Sequence, residues 1–311
     1  FPHSHGGRRN QTLMPAGATH AFQIWKGEGY RTGLIGKNHC FESEEDLALL
    51  DVYCEITHRG RSDRSAAPKG MEWVRPAKAI DAAYEARSNV KRQSPRIAYR
   101  VSDGPEGDCG TAVIAAQSVR FLEESHEEPF ALWVSFPDPH EPYEVLRRYA
   151  EMFPPESIEL PPWPEDEFDE SAPERNRVLK RMLDISQDSE ADVRGAISTY
   201  YAMTRFVDDG VGQILDALDQ LDLTDNTIVV FTADHGDFMG EHGMIVKGGV
   251  FYDSLTRVPL IISYPGEVPS NEVDSSMVNT IDIIPTLLRL QGIEAPPEMQ
   301  GESLPKIGRA H

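Results

Sequence analysis

The 311-residue sequence has no hydrophobic run approaching the roughly 20 apolar residues that a transmembrane helix requires. It shows no internal repeat, and no signal peptide is visible at its start, where the first residue is Phe1. Basic residues are scarce, because 30 Lys and Arg stand against 51 Asp and Glu, a formal net charge of −21. Such an acidic surface repels phosphate backbones and anionic lipids, so we expect neither nucleic acid nor a membrane as partner. An anionic substrate would need basic groups gathered locally.

Cysteine is also sparse, with only Cys40, Cys54 and Cys109. Their odd number and irregular spacing match neither a C-x-x-C zinc pattern nor a dense disulfide framework. We therefore expect at least two of them to be small buried hydrophobic residues. The sequence leaves the compartment open between a periplasmic or extracellular and a cytoplasmic location, and it leaves the oligomeric state open as well.

What the sequence does contain is an alternation of strand-like and helix-like apolar runs. This pattern is typical of an α/β fold with a mostly parallel central sheet flanked by helices. Residues 227–231 form the clearest central strand, residues 129–136 form a second buried strand, and residues 195–221 form a long amphipathic helix.

Two polar stretches interrupt this alternation. Residues 42–108 are mixed in character, and residues 154–188 are rich in Pro, Glu and Asp. We interpret both as insertions or excursions within a single α/β domain that covers residues 1–311. The first of them is a candidate for shaping a substrate pocket.

The strongest chemical signal directly follows the strand 227–231, where the sequence reads Asp234-His235-Gly236. Ligands of open α/β sheets bind beyond the carboxyl ends of the strands. A carboxylate oxygen next to an imidazole nitrogen suits a divalent cation, whereas the alternative is a turn stabilised by its own hydrogen bonds. Lys247 follows on the same glycine-rich loop and could reach an anionic oxygen, or it is an ordinary surface lysine.

Two further strand ends carry basic side chains. Lys37 and His39 follow a short strand over residues 30–35, where a lysine could hold a negative oxygen and a histidine could act as general acid or base. His140 follows the strand 129–136 between two prolines that fix its backbone. It suits proton donation to a leaving group or contact with an anion, and the alternative is a proline-rich surface turn.

Histidines are concentrated in these segments, which hold four of the ten in the chain: His39, His140, His235 and His242. If the three strand ends share one edge of a sheet, they form an anion site beside a metal. The sequence therefore predicts metal-assisted group transfer or hydrolysis.

These segments resemble the motifs of the sulfatase family, within the alkaline phosphatase superfamily. Residues 29–39 resemble its G-Y-x-T-x-x-x-G-K-x-H segment, and residues 139–142 resemble its P-H-x-P turn. Asp234-His235-Gly236 through Lys247 resembles its metal loop, and residues 282–288 are similar to a late helix of the family. The resemblance implies a sulfatase-like α/β fold and hydrolysis of sulfate esters of small molecules or carbohydrates.

The resemblance also implies roles for individual residues. The implied metal ligands are Asp234 and His235, and the metal is Ca²⁺, with Mn²⁺ or Mg²⁺ as alternatives. The implied catalytic residues are Lys37, His39, His140 and Lys247, of which Lys37, His140 and Lys247 also bind substrate. Two other functions stay open: a phosphonate monoester or phosphodiester hydrolase, and a non-catalytic anion- or metal-binding relative.

Two departures from the family pattern affect this interpretation. Sulfatases carry a Cys or Ser in C/S-x-P-S-R that becomes formylglycine, and no cysteine here has that context. A pair of acidic metal ligands expected on the first strand is also missing, while residues 1–6 resemble the segment just downstream of the nucleophile. We therefore expect a fragment that lacks the nucleophile segment before Phe1 and a small C-terminal subdomain, and that is inactive by itself.

Overall fold

A computed structural model describes residues 18–41, 43–61, 68–163 and 166–304. The segment 1–6, interpreted above as following the nucleophile, lies outside the described residues. In chain order the helices and strands are α1 (Ala21–Gly27), β1 (Arg31–Gly36), α2 (Glu44–Ala48), β2 (Val52–Thr57), β3 (Gly60–Arg61), α3 (Ala77–Ser88), β4 (Tyr99–Ser102), α4 (Gly110–Ser125), β5 (Phe130–Ser135), β6 (Tyr143–Leu146), α5 (Arg147–Ala150), α6 (Glu174–Leu183), α7 (Glu190–Gln220), β7 (Val229–Thr232), α8 (Asp253–Thr256), β8 (Leu260–Ser263) and α9 (Ile283–Leu290).

The largest sheet has four strands in the order β3-β2-β1-β5. β1 pairs in parallel with both β2 and β5, and only the short β3 runs antiparallel to its neighbour. α4 covers one face because its apolar side chains recur at helical spacing, and Ile114 and Phe121 are fully buried against Ile35 of β1. The predicted α/β class with a mostly parallel sheet flanked by helices is confirmed.

The polar stretch 42–108 supplies a strand of this sheet. Strand β2 lies beside β1, and its Val52, Cys54 and Ile56 are fully buried. The expectation of at least two buried cysteines is wrong, because Cys40 is exposed and Cys109 is only partly buried. Both lie in connecting segments, where spacing along the chain does not report burial.

Strand β7 differs from the prediction of a central strand. Among the described residues it pairs only with β8, in antiparallel fashion, and forms a separate two-stranded sheet. Phe231 on β7 is 41% exposed and Ile261 on β8 is 60% exposed. The apolar run identified a strand correctly, but periodicity does not specify which strand lies beside it.

The long helix α7 spans 31 residues from Glu190, and the side chain of the preceding Ser189 caps its first turn by accepting a hydrogen bond from the Asp192 amide. Its buried face includes Ala196, Ala202 and Met203, which join the core around β4 and β6. Neither α7 nor any other helix of the described residues combines the length and apolar character of a membrane span.

Candidate functional site

Lys37 joins the end of β1 to the segment that follows β7. Gly36 has a φ of +106°, and a Cβ there would lie 1.9 Å from the Ser135 carbonyl oxygen, so only glycine fits. The Lys37 amide donates to that same oxygen at 2.9 Å, which places the lysine beside the end of β5. Its Nζ lies 3.3 Å from Oδ2 of Asp234. Two of the predicted site segments therefore meet in one ion pair.

Asn38 shapes the loop that carries His39. Its side-chain oxygen accepts the amides of Cys40 and Phe41, both at 3.0 Å, while its side-chain nitrogen donates to the Phe41 carbonyl oxygen and the Tyr53 hydroxyl. The buried Asn38 thus turns the chain sharply and leaves His39 exposed at the surface of the loop.

Asp234 and His235 present two donor atoms to the same space. Nδ1 of His235 donates to the Gly236 carbonyl oxygen at 2.9 Å, which leaves Nε2 available 3.7 Å from Oδ2 of Asp234. Gly236 is required, since a Cβ there would lie 1.9 Å from the Ser254 carbonyl oxygen. Partial burial acts to raise the pKa of Asp234, but Lys37 and His235 outweigh it and hold that pKa below its usual value.

His140 is fixed by a buried arginine that the sequence analysis did not identify. Arg87 on α3 donates to Oδ1 of Asp138 at 2.6 Å, to the His140 carbonyl oxygen at 2.6 Å and to the Pro142 carbonyl oxygen at 3.1 Å. Thr111 adds a hydrogen bond to the other carboxylate oxygen of Asp138 at 2.6 Å. Since Arg87 and Asp138 are each 8% exposed, the loop after β5 is held by a buried ion pair.

The ring of His140 is neutral at neutral pH. Burial, together with Lys247, Lys37 and Arg87, lowers its pKa to about 4. Its Nδ1 lies 2.7 Å from the Glu141 carbonyl oxygen, which can only accept, so the proton resides on Nδ1. Nε2 therefore carries the lone pair and is the atom left for chemistry.

Lys247 is a further basic residue of this group. It is close enough to His140 and Asp237 to influence the pKa of each. Its loop is held by α6, which belongs to the polar stretch 154–188: Lys180 donates to the Gly243 carbonyl oxygen at 2.8 Å, and the Ile245 amide donates to the Leu183 carbonyl oxygen at 3.2 Å. Lys37 and Lys247 thus lie in one site together with the carboxyl groups of Asp234 and Asp237.

Asp237 is an acidic residue of this cleft that motif reading did not single out. Burial raises its pKa to about 6, with Glu141 and Asp234 acting in the same direction and Lys247 and His235 opposing them. Its Oδ1 is buried and has no hydrogen-bond partner within the described part of the chain. An orphaned carboxylate oxygen next to Asp234 and His235 fits a cation at this place.

The described residues supply two donors of a divalent-metal site, fewer than a complete ligand set. Asp234 and His235 offer an oxygen and a nitrogen, the donor types that divalent ions use. No cluster of three or more His, Cys, Asp or Glu side chains placed to hold a metal occurs within residues 18–41, 43–61, 68–163 and 166–304. The donors present fit a divalent ion as part of a larger ligand set.

His242 does not join the other histidines of the predicted segments. Its Nδ1 lies 2.6 Å from Oε1 of Glu167, and its ring packs against Tyr252 with centroids 4.1 Å apart. These contacts tie the residues before α6 to the loop after β7. His242 therefore supports the loop that carries Lys247.

His58 lies in the cleft although no motif marked it. Its ring stacks on that of His140, with centroids 4.2 Å apart and planes inclined by 19°. Lys37 and His39 both lie close enough to influence its pKa. Neither His58 nor Arg87 carried a signal in the sequence, because each lies in the polar stretch 42–108 and reaches the site only through packing.

The fold and these side chains define an α/β protein in which lysine and histidine side chains lie beside a carboxylate oxygen and an imidazole nitrogen, two atoms of the kind that bind divalent metals. The chain belongs to the sulfatase family, whose sequence model it matches over residues 3–293. Members of this family are metal-dependent. A choline-sulfatase of Rhizobium meliloti is 28% identical over 94% of this chain and 56% of its own length.

Solved structures support the fold. A phosphonate monoester hydrolase from Silicibacter pomeroyi superposes with a TM-score of 0.76 at 20% identity, covering 98% of this chain and 64% of its own. A protein solved with its substrate D-glucosamine-2-N,6-O-disulfate gives a TM-score of 0.67 at 20% identity, covering 97% and 67%. The chain spans about half the length of the curated relatives it matches, 53% and 56% in two cases.

Proposed function

We propose that the full-length protein containing this chain is a metal-dependent sulfatase that hydrolyses sulfate esters of small molecules or carbohydrates. The observation that carries the proposal is the contact between Lys37 and Asp234, which joins the ends of β1 and β7 in one cleft. Family membership supports it, as do the names of a choline-sulfatase and of the glucosamine disulfate bound in a structural neighbour.

In this proposal Asp234 and His235 supply two ligands of the metal, as part of a larger ligand set. A bound divalent ion would polarise the ester oxygens and stabilise developing negative charge. Ca²⁺ is the proposed ion, with Mn²⁺ or Mg²⁺ as alternatives; of these the imidazole of His235 favours Mn²⁺, because imidazole suits transition metals better than Ca²⁺ or Mg²⁺. The proposed nucleophile of the full-length protein is a formylglycine.

The basic side chains hold the anion. Lys37 and Lys247 approach the sulfate oxygens as point charges from opposite sides of the cleft, and His39 adds a hydrogen bond or a proton-transfer group at the rim. His140 faces the leaving-group oxygen with Nε2. To donate a proton it must first gain one, and a bound anion favours this by offsetting the positive charges that lower the pKa of His140.

The experiment that tests the reaction compares two esters. We expect the full-length protein to hydrolyse 4-nitrophenyl sulfate with a higher kcat/KM than 4-nitrophenyl phenylphosphonate, measured by release of 4-nitrophenolate. A reversed ratio would identify a phosphonate monoester hydrolase, which the imidazole donor of His235 favours as the second candidate. Binding of inorganic sulfate without turnover of either ester would identify a non-catalytic relative.

Replacing Lys247 with alanine should lower kcat/KM for 4-nitrophenyl sulfate at least about tenfold, equal to about 1.4 kcal/mol of transition-state stabilisation. The loss follows because Lys247 supplies positive charge where the sulfate oxygens gain negative charge. Lys78→Ala, on the exposed face of α3, is the matched control and should leave the kinetics unchanged. Equal kinetics for the two variants would show that Lys247 is an ordinary surface lysine with no part in the reaction.

A further inference from the structure

Three contacts restrict the position of His140, and each acts on a different part of the residue. Arg87 holds the backbone through the His140 carbonyl oxygen. The hydrogen bond from Nδ1 to the Glu141 carbonyl oxygen fixes the rotation of the ring. The third contact is the stacked ring of His58, which covers one face of the imidazole. Together these three contacts hold the imidazole ring of His140, and therefore its Nε2 atom, in one orientation.

The hairpin that carries His58 is itself firmly built. Thr57 and Gly60 form the last antiparallel pair of β2 and β3, and the Thr57 hydroxyl donates to the Gly60 carbonyl oxygen at 3.2 Å and accepts the Arg59 amide at 3.1 Å. A Cβ at Gly60 would lie 3.1 Å from the Tyr84 ring, so the turn packs closely on α3. The ring of His58 is thus presented from a fixed backbone.

Before substrate binds, both rings of the His58–His140 stack are uncharged at neutral pH. Burial first, then the neighbouring His140 and Arg59, lower the pKa of His58 to about 4. At neutral pH both rings are therefore uncharged and stack without mutual repulsion. Nδ1 of His58 is buried and has no hydrogen-bond partner among the residues the structure describes, so polar contacts within this part of the chain do not explain the placement of the ring.

We propose that His58 is a positioning residue, whose ring stacks on His140 and holds Nε2 of that histidine in line with the leaving-group oxygen of the ester. The inference rests on the proposed function, because His58 affects the reaction only if His140 has the role proposed for it. It adds the β2–β3 hairpin to the elements that build the site. Displacement of a reacting group by about 1 Å can cost a hundredfold in rate, so loss of the stack has a measurable effect.

A double-mutant cycle in the full-length protein tests this inference. His58→Ala should lower kcat for 4-nitrophenyl sulfate about tenfold or more and leave KM within about twofold. In the His140→Ala background, the same His58→Ala change should cost nothing further, since a positioning residue acts only through the group it positions. His58→Phe should retain most of the activity, because a phenyl ring can cover the same face.

The leaving group provides a second readout. The loss in His58→Ala should be larger for phenyl sulfate, whose phenolate leaves less readily, than for 4-nitrophenyl sulfate. The control is His126→Ala, an exposed histidine whose Nδ1 lies 2.7 Å from the Glu123 carbonyl oxygen, and it should behave as wild type. Thermal midpoints of all variants report whether a loss comes from unfolding.

Additive losses in the cycle, or a His58→Phe variant as defective as His58→Ala in a folded protein, would overturn the positioning role while leaving the proposed function intact. If the wild-type protein cleaves only the phosphonate ester, the cycle is run with that ester, because the orientation of His140 serves either leaving group. A wild-type protein that cleaves neither ester contradicts the proposed function, and the role of His58 falls with it.

Discussion

Replacing Asp234 with alanine should lower kcat/KM for a sulfate ester about a thousandfold, with a matching fall in bound metal. A divalent ion contributes several kcal/mol to charge stabilisation, and about 4 kcal/mol corresponds to a factor of a thousand. In the proposed function Asp234 is a metal ligand, and it pairs with Lys37 at 3.3 Å, so the change would remove a proposed ligand and leave the lysine without this partner. Elemental analysis and steady-state kinetics of the full-length protein measure the two effects.

The matched control for this prediction is Asp219→Ala. Asp219 is exposed near the end of α7, where alanine favours the helix, so the variant should keep both metal and activity. If Asp234→Ala retained its metal and its turnover, Asp234 would be a turn-forming residue rather than a ligand, and the metal would have to bind elsewhere.

Replacing Arg87 with methionine should lower the free energy of unfolding by about 3–5 kcal/mol, because breaking a buried ion pair leaves an uncompensated charge. Asp138 would keep its hydrogen bond from Thr111 but lose the guanidinium at 2.6 Å. The two carbonyl oxygens that Arg87 binds in the loop of His140 would lose their donors as well. Urea denaturation measures the stability, and kcat should fall in the fraction that remains folded.

Arg147→Met is the control for this change. Arg147 forms a comparable pair with Asp103 at 2.7 Å, but the two side chains are 57% and 68% exposed. Water already solvates that pair, so its urea midpoint should stay close to wild type. Adding Asp138→Leu to Arg87→Met should restore part of the lost stability by removing the orphaned charge. Equal destabilisation by the two arginine variants would contradict the buried-pair argument.

The acidic composition means that an anionic substrate needs basic side chains close to its binding site. A chain with a net charge of −21 repels an anionic substrate at long range. Lys37, Lys247 and Arg87 come from three separate segments, and all three act on the pKa of His140. Asp234 pairs with Lys37 and Asp138 pairs with Arg87, so in the proposed function the attraction of an anion depends on Lys247 and on the bound cation.

The local features of this protein could be predicted from its amino-acid sequence. The apolar runs specified β1, β5 and β7 as strands and most of α7 as a helix, and the motifs after those strands named Lys37, Asp234, His235 and His140. These features depend on residues within a few positions of one another, so spacing and side-chain type suffice to predict them. The α/β class followed from their alternation.

The contacts between distant elements, in contrast, became visible only in the folded chain. It placed β2 beside β1, left β7 paired with β8 alone among the described residues, and brought Arg87 and His58 onto a loop more than 50 positions away in the chain. The reason is physical: hydrogen bonding and apolar spacing define an element locally, whereas sheet order and buried contacts depend on how distant segments exclude water together. The motifs of the site could therefore be identified in the sequence, whereas the residues that orient their side chains could not.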